Sequence, residues 1–168
     1  MSLLEVRDLH VWFDLPEGRE LHAVQGVSFD LDPGARMGLV GESGCGKTTT
    51  VLALMGLLPA SATVSGDVLL DGSSMLAAGE ETAQPHRWKD IAMVFQGAMN
   101  ALNPVMRVGD QFVDMMRAHE HVSRRQALAR AGELLDLVGI DARRVRAYPH
   151  ELSGGMRQRV IIARALAL

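Results

Sequence analysis

The chain has very little cysteine, with only Cys45 among its 168 residues. A single cysteine excludes an internal disulfide and is typical of a reducing compartment. No run of about eighteen apolar residues occurs, so no transmembrane helix is predicted. Met1–Glu5 also lacks the basic-then-apolar pattern of a secretion signal. The net charge of −3 gives no support for nucleic-acid binding through an excess of basic residues.

The chain also lacks repeats, low-complexity linkers and an evident metal-ligand pattern. Its histidines are scattered, without the spacing typical of a metal site; they are His10, His22, His86, His119, His121 and His150. What remains is an ordinary globular composition, in a length that can bury one core.

The most informative segment is glycine-rich. Gly41-Glu42-Ser43-Gly44-Cys45-Gly46-Lys47-Thr48 matches the pattern G-x-x-x-x-G-K-[ST] of a phosphate-binding loop. Its glycines let successive N–H groups point inward, its lysine reaches the β- and γ-phosphates, and its hydroxyl suits Mg²⁺. The nucleotide-binding candidates are Gly41, Ser43, Gly44, Cys45, Gly46, Lys47, Thr48 and Thr49.

The surroundings of this segment favour the same interpretation. Arg36–Val40 predicts a short buried strand, and Thr49–Leu57 predicts a packed helix, which gives the order strand, glycine loop, helix. The alternative is a glycine-rich turn that caps a helix, and the context disfavours it.

Hydrophobic patterns predict further elements. Strands are expected over Leu3–Phe13, Val27–Leu31, Ser65–Leu70 before an Asp71-Gly72 turn, and Ile91–Phe95, a buried parallel strand that ends at Gln96. Helices are expected over Val108–His119, from a Ser123–Gln126 capping box to Gly139, and after an N-cap at Ser153.

A second candidate anion site is Leu152-Ser153-Gly154-Gly155, followed by Arg159. Ser153 can cap the helix, while Gly154 and Gly155 leave N–H groups open to a ligand. Taken alone, the segment fits a plain serine cap with two flexible glycines equally well.

The phosphate loop, the strand ending in Gln96 and the Leu-Ser-Gly-Gly segment, in this order, resemble the ATP-binding cassette (ABC) ATPases. The resemblance implies that Ser153, Gly154 and Gly155 contact, in trans, the γ-phosphate of ATP held by a partner subunit. It implies that Thr48 and Gln96 contact Mg²⁺, and that Gln96 assists catalysis. An aromatic residue would stack on adenine; Phe13 is the first candidate and Trp12 the second, and the alternative for Phe13 is a core strand residue.

Three further segments, Val94–Pro104, Val108–Gln111 and Tyr148–Leu152, resemble the ATPase subunits of oligopeptide, dipeptide and nickel importers. Thr48 stands where this group usually has serine, and either supplies a hydroxyl. The resemblance implies a second ATPase subunit, identical or paralogous, integral-membrane permeases and, indirectly, an extracytoplasmic solute-binding protein, with no nucleic acid. It implies a peripheral position on the cytoplasmic face of the inner membrane.

The resemblance also implies an α/β fold, a P-loop NTPase core with an N-terminal antiparallel β subdomain and an α-helical signature subdomain. The expected division is about 1–96 for the β subdomain and core, about 97–155 for the helical subdomain, and 156–168 for a return helix. The family's Asp-Glu strand and switch histidine are absent, so we expect a partial domain that ends before the catalytic strand. Its Arg36–Val40 strand would then have an open edge.

The expected function is ATP binding and, in a full-length dimer, hydrolysis that drives peptide-type import. The chain alone is expected to be catalytically incompetent because it lacks the glutamate base. The alternatives are a non-transport ABC ATPase of DNA repair or translation, and a non-catalytic nucleotide-binding module.

Overall fold

The computed structural model describes residues 2–76, 86–95 and 101–168. The chain divides into two compact units, Met1–Arg87 and Trp88–Leu168. The described residues of the first unit form a sheet with one helix, and those of the second form helices and short 3₁₀ turns.

The sheet of the first unit is antiparallel throughout. Its strands are β1 (Leu4–Leu15), β2 (Arg19–Leu31), β3 (Ala62–Leu70) and the very short β4 (Ser73–Ser74), in the spatial order β2-β1-β3-β4. A 3₁₀ turn at Pro16–Gly18 joins β1 to β2. The predicted Asp71-Gly72 turn joins β3 to β4, with φ of 47° and 76°, as a tight two-residue hairpin turn requires.

One face of this sheet is the core of the first unit. Val6, Leu9 and Val11 of β1 are fully buried, together with Val68 of β3. The single helix of this unit's described part, α1 (Lys47–Leu54), contributes the buried residues Thr50, Ala53 and Leu54. The alternation of β1 is interrupted between Val6 and Leu9, where its pairing with β2 shifts register.

The second unit contains the helices α2 (Val108–His119), α3 (Arg124–Leu137) and α4 (Gly154–Ala165). Two 3₁₀ turns, Ala142–Arg146 and Pro149–Glu151, lie between α3 and α4. All three helices contribute to one hydrophobic core, whose fully buried side chains include Phe112, Leu135 and Val160.

Local capping signals correctly predicted where α3 and α4 begin. The capping box is present: Ser123 Oγ accepts from the Gln126 amide at 3.3 Å, and the Ser123 amide donates to Gln126 Oε1 at 3.1 Å. The helix ends near Gly139, whose φ of 72° suits a glycine after a helix. The bounds predicted for α2 are confirmed.

Two predicted strands are wrong. Arg36–Val40 has no regular secondary structure and is exposed, with Val40 at 90 % relative exposure. Ile91–Phe95 is likewise irregular apart from an isolated bridge at Ile91, and Phe95 is 51 % exposed. A buried parallel strand needs hydrogen-bonded neighbours, and the strands of the described residues form only the antiparallel sheet above.

Candidate functional site

The phosphate loop leads directly into α1. Gly44 and Gly46 have φ of 82° and 92°, a left-handed conformation that glycine adopts without steric cost. The helix begins at Lys47, with Gly46 as its N-cap. The free N–H groups of this helix end therefore lie beside the loop, where they favour an anion.

The loop rests against strand β2 at Gly46. A Cβ atom added there would lie 2.5 Å from the backbone oxygen of Ala23 and 3.5 Å from Val24 Cγ2. No side chain fits in this contact, so the loop position depends on glycine for space as well as for its φ angle. The sequence did not predict that β2 extends back to Arg19, and the Ala23 contact has no side-chain signal because it involves a backbone oxygen.

The Lys47 ammonium is turned into the loop. It donates to the backbone oxygens of Gly41 at 2.8 Å and Glu42 at 2.6 Å, and lies 3.4 Å from Cys45 Sγ. A Cβ on Gly41 would lie 2.6 Å from the same sulfur. The positive charge is thus held inside the curve of the loop, where phosphate oxygens could replace the carbonyl oxygens.

The hydroxyl side chains near the loop differ in burial. Ser43 and Thr48 are exposed, and Thr49 is half-buried. Thr50 is buried, and its hydroxyl donates to the Gly46 oxygen at 3.0 Å. Thr50 was missed from the sequence, although a third consecutive threonine after the lysine is a usable signal for a helix-start contact.

The two aromatic candidates lie on β1. Phe13 is half-buried and pairs with Leu21 of β2, two residues from Ala23, the residue against which the loop rests. The Trp12 ring is instead stacked on the imidazoles of His22 and His10, with centroids 4.6 and 5.3 Å away. Trp12 thus already has two stacking partners on this hairpin, and Phe13 stays the first candidate of the two.

The Leu-Ser-Gly-Gly segment begins α4 in the second unit. Ser153 is its N-cap, and its Oγ accepts from the Met156 amide at 3.3 Å. Within the described ranges, the amides of Gly154 and Gly155 have no acceptor. A Cβ on Gly155 would meet no atom within 4 Å, so the space at Gly155 is open to an anion that these N–H groups could bind.

Neighbouring residues hold this segment in place. Leu152 is buried in the helical core. Arg159 of α4 donates to the backbone oxygens of Val138 at 3.1 Å and Gly139 at 2.9 Å. These are carbonyls at the C-terminal end of α3, which favours a cation. The arginine of the motif therefore braces α4 against α3.

Gln96, the second residue predicted to contact Mg²⁺, lies outside the described residues. A cavity of about 410 Å³ lies beside the end of α1, and the described residues that line it are apolar or glycine, among them Ala53, Pro59 and Met75. In the second unit, a hydrogen bond from Arg143 lowers the pKa of Asp141 to about 2.

No helix in the described part of the chain is long and apolar enough to cross a bilayer.

Comparisons with known proteins agree on one family. The family model described as "ABC transporter" matches residues 24–168. The oligopeptide transport ATP-binding proteins OppD of Bacillus subtilis and Escherichia coli are 46 % and 44 % identical over 98 % of this chain, which covers 47 % and 49 % of their lengths. The chain thus spans about half the length of these curated relatives.

A solved structure gives the same answer for the fold. The ATP-binding cassette MJ0796, in a dimeric post-hydrolysis state bound to ADP and Pi, matches with a TM-score of 0.80 at 26 % identity. The match covers 98 % of this chain and 69 % of that one. The α/β nucleotide-binding cassette fold predicted from the sequence is confirmed.

Proposed function

The chain belongs to the ABC transporter family, and from that premise we propose that it is the nucleotide-binding part of an ATPase subunit that drives peptide import. The observation that carries the proposal is the Lys47 ammonium, held inside a glycine loop at the start of α1. The peptide-type assignment rests on the identity to oligopeptide transport ATP-binding proteins.

The loop residues would bind the triphosphate of ATP. Lys47 exchanges its contacts to Gly41 and Glu42 for the β- and γ-phosphates, as a mobile point charge can. The N–H groups from Gly44 to Thr48 surround the phosphates, and Phe13 stacks on the adenine ring. Cys45, Ser43 and Thr49 line the same loop.

Mg²⁺ fits the donor set that the loop offers. The Thr48 hydroxyl is exposed at the second position of α1, and hydroxyl and phosphate oxygens are ligands that this hard cation accepts. Gln96 is the second proposed ligand. The ion would neutralise charge on the γ-phosphate during transfer to water.

Ser153, Gly154 and Gly155 would act on a nucleotide bound to a second ATPase subunit, identical or paralogous. The two free amides at the start of α4 suit the γ-phosphate of that nucleotide. We propose the division of about 1–96, 97–155 and 156–168 for the core, helical and return segments. Permease subunits on the cytoplasmic face of the membrane would be the transport partners, with an extracytoplasmic binding protein as an indirect one.

The test is nucleotide binding by matched lysine variants. Binding of a fluorescent ATP analogue should fall at least tenfold in Lys47→Ala, because the charge inside the loop is lost. Lys89→Ala removes the only other lysine, which is exposed, and should bind like the unaltered protein. Equal binding by both variants would contradict the role of the loop.

A second variant separates the two halves of the proposed site. Ser153→Arg should leave nucleotide binding by a single subunit unchanged, yet stop turnover in the assembled full-length ATPase. Loss of binding by the single subunit would show that the Leu-Ser-Gly-Gly segment does not act in trans.

A further inference from the structure

Two arginines of α4 have buried donor groups without a partner. The Nε atoms of Arg157 and Arg164 are buried and have no acceptor, and neither guanidinium makes a hydrogen bond or an ion pair in the described part of the chain. Both residues are half-buried. A polar group that is buried without a partner is uncommon in folded proteins, because it has lost water without gaining another acceptor. The two guanidinium groups thus lack the acceptors that their burial requires.

The helix places these two arginines on the same face. They are seven residues apart, which is about two helical turns and roughly 10.5 Å along the helix axis. Ile161 lies between them on this face and is buried in the hydrophobic core of the second unit. The aliphatic stems of both arginines can therefore lie along the edge of that core, which carries their Nε atoms out of water.

The helix itself supplies no opposite charge. The sequence of α4 contains the three arginines Arg157, Arg159 and Arg164 and no Asp or Glu. Arg159 is satisfied by the backbone oxygens of Val138 and Gly139. Arg164 lies in the last turn, where the helix dipole favours a cation, yet burial lowers the pKa of its guanidinium and no carboxylate offsets this effect. The loss of water therefore outweighs the attraction that its surroundings provide.

We propose that Arg157 and Arg164 bind carboxylates of Asp or Glu side chains in the further polypeptide of the full-length protein. The chain covers 47 % and 49 % of the lengths of the two oligopeptide transport relatives, so a protein of their size holds about as much polypeptide again. A carboxylate suits these sites because it accepts two parallel hydrogen bonds from one guanidinium and neutralises its charge. This face of α4 is then an internal interface of the full-length protein, separate from the proposed nucleotide contacts.

Replacing Arg164 by methionine should have opposite effects in the two proteins. Methionine keeps an unbranched apolar stem and a similar helix propensity but removes the charge. In the 168-residue chain the variant loses an unpaired charge, so hydrogen exchange of the α4 amides, measured by mass spectrometry, should slow by about fivefold. In the full-length protein the variant leaves a buried carboxylate unpaired, so the same amides should exchange about tenfold faster. Arg157→Met should behave in the same way.

Two further variants test the chemistry of the partner. Arg159→Met is the matched control, because Arg159 already has acceptors within the second unit; it should speed the exchange in both proteins. Arg164→Lys retains the positive charge, so in the full-length protein its α4 amides should exchange more slowly than those of Arg164→Met. Equal exchange rates for these two Arg164 variants would show that the partner is not a carboxylate.

An effect of the same sign in both proteins would overturn the proposal. Faster exchange in both would mean that Arg164 already has a partner in the 168-residue chain, and slower exchange in both would mean that no carboxylate reaches it. An effect in the full-length protein that appears only at high protein concentration would assign the carboxylate to a second copy instead.

Chemical modification of the unaltered proteins decides the matter if the variants fail to fold by circular dichroism. Phenylglyoxal, which reacts with guanidinium groups, should modify Arg157 and Arg164 in the 168-residue chain and should be excluded from both in the full-length protein. Equal modification of the two proteins would refute the interface.

Discussion

Replacing Gly46 by alanine tests whether the close contact between the phosphate loop and strand β2 requires a glycine. The added methyl group would lie 2.5 Å from the Ala23 oxygen, a contact that the backbone of β2 must move to relieve. Gly44 has a similar φ, 82° against 92°, but a methyl group there meets nothing within 4 Å. Comparing Gly44→Ala with Gly46→Ala therefore separates the free-energy cost of the left-handed backbone conformation from the cost of the steric contact with β2.

The two costs have different magnitudes. A non-glycine residue in the left-handed region costs about 1 to 2 kcal/mol. Gly44→Ala should therefore lower the free energy of unfolding by this amount alone. Overpacking adds roughly 1 to 3 kcal/mol, so Gly46→Ala should lower the free energy of unfolding by about 2 to 5 kcal/mol. Because the contact is with backbone, rotation of a side chain cannot relieve it.

Urea unfolding followed by Trp12 fluorescence, in a Trp88→Phe background, measures the difference in the unit that contains the loop. A single probe in that unit is needed because two compact units can unfold in separate steps. Gly46→Ala should lower the urea midpoint more than Gly44→Ala at an unchanged slope. Equal midpoints for the two variants would refute the argument that Gly46 is needed for space.

Two further predictions concern the second unit. Gln111 is buried; its Oε1 accepts from the Asn103 amide at 3.0 Å, and its Nε2 donates to the backbone oxygens of Asn103 at 3.0 Å and Met106 at 3.2 Å. Gln111→Leu should therefore lower the free energy of unfolding by about 1 to 3 kcal/mol, because the backbone groups lose their partners. Urea unfolding measures this change, and an unchanged midpoint would contradict the role of these hydrogen bonds. The hydrogen bond from Arg143 lowers the pKa of Asp141 from 3.8 to about 2, so its stabilisation is present above pH 3.8 and is lost as the pH falls to 2. Asp141→Asn should flatten this part of the stability–pH curve, and an identical acid limb in both proteins would show that the pair contributes nothing.

Local signals in the sequence predicted the elements that depend on local contacts. The Ser123–Gln126 box and Ser153 begin their helices through bonds within one turn, and the turn at Asp71-Gly72 needs only its own two residues. The glycine loop was predictable for the same reason, because its conformation depends on Gly44 and Gly46 and on the helix that starts at Lys47.

Elements that depend on distant partners were predicted less evenly: the strands expected over Leu3–Phe13 and Ser65–Leu70 correspond to β1 and β3, whereas others were wrong or missed. Apolar content indicated strands at Arg36–Val40 and Ile91–Phe95, but a strand exists only where another strand accepts its hydrogen bonds. The first half of β2 was missed for the opposite reason: pairing with β1, rather than its own alternation, makes it a strand. The contact between His10 and His22 joins residues twelve apart in the sequence, and it arises from the hairpin and from the shift of register at Asp8.

The bond from Arg159 to the end of α3 has a mechanical consequence. Its guanidinium donates to two carbonyl oxygens, at Val138 and Gly139. Arg159 lies near the middle of α4, whose N-terminal end carries Ser153 and the free amides. The same arginine therefore ties the helix that presents the Gly154 and Gly155 amides to the C-terminal end of α3.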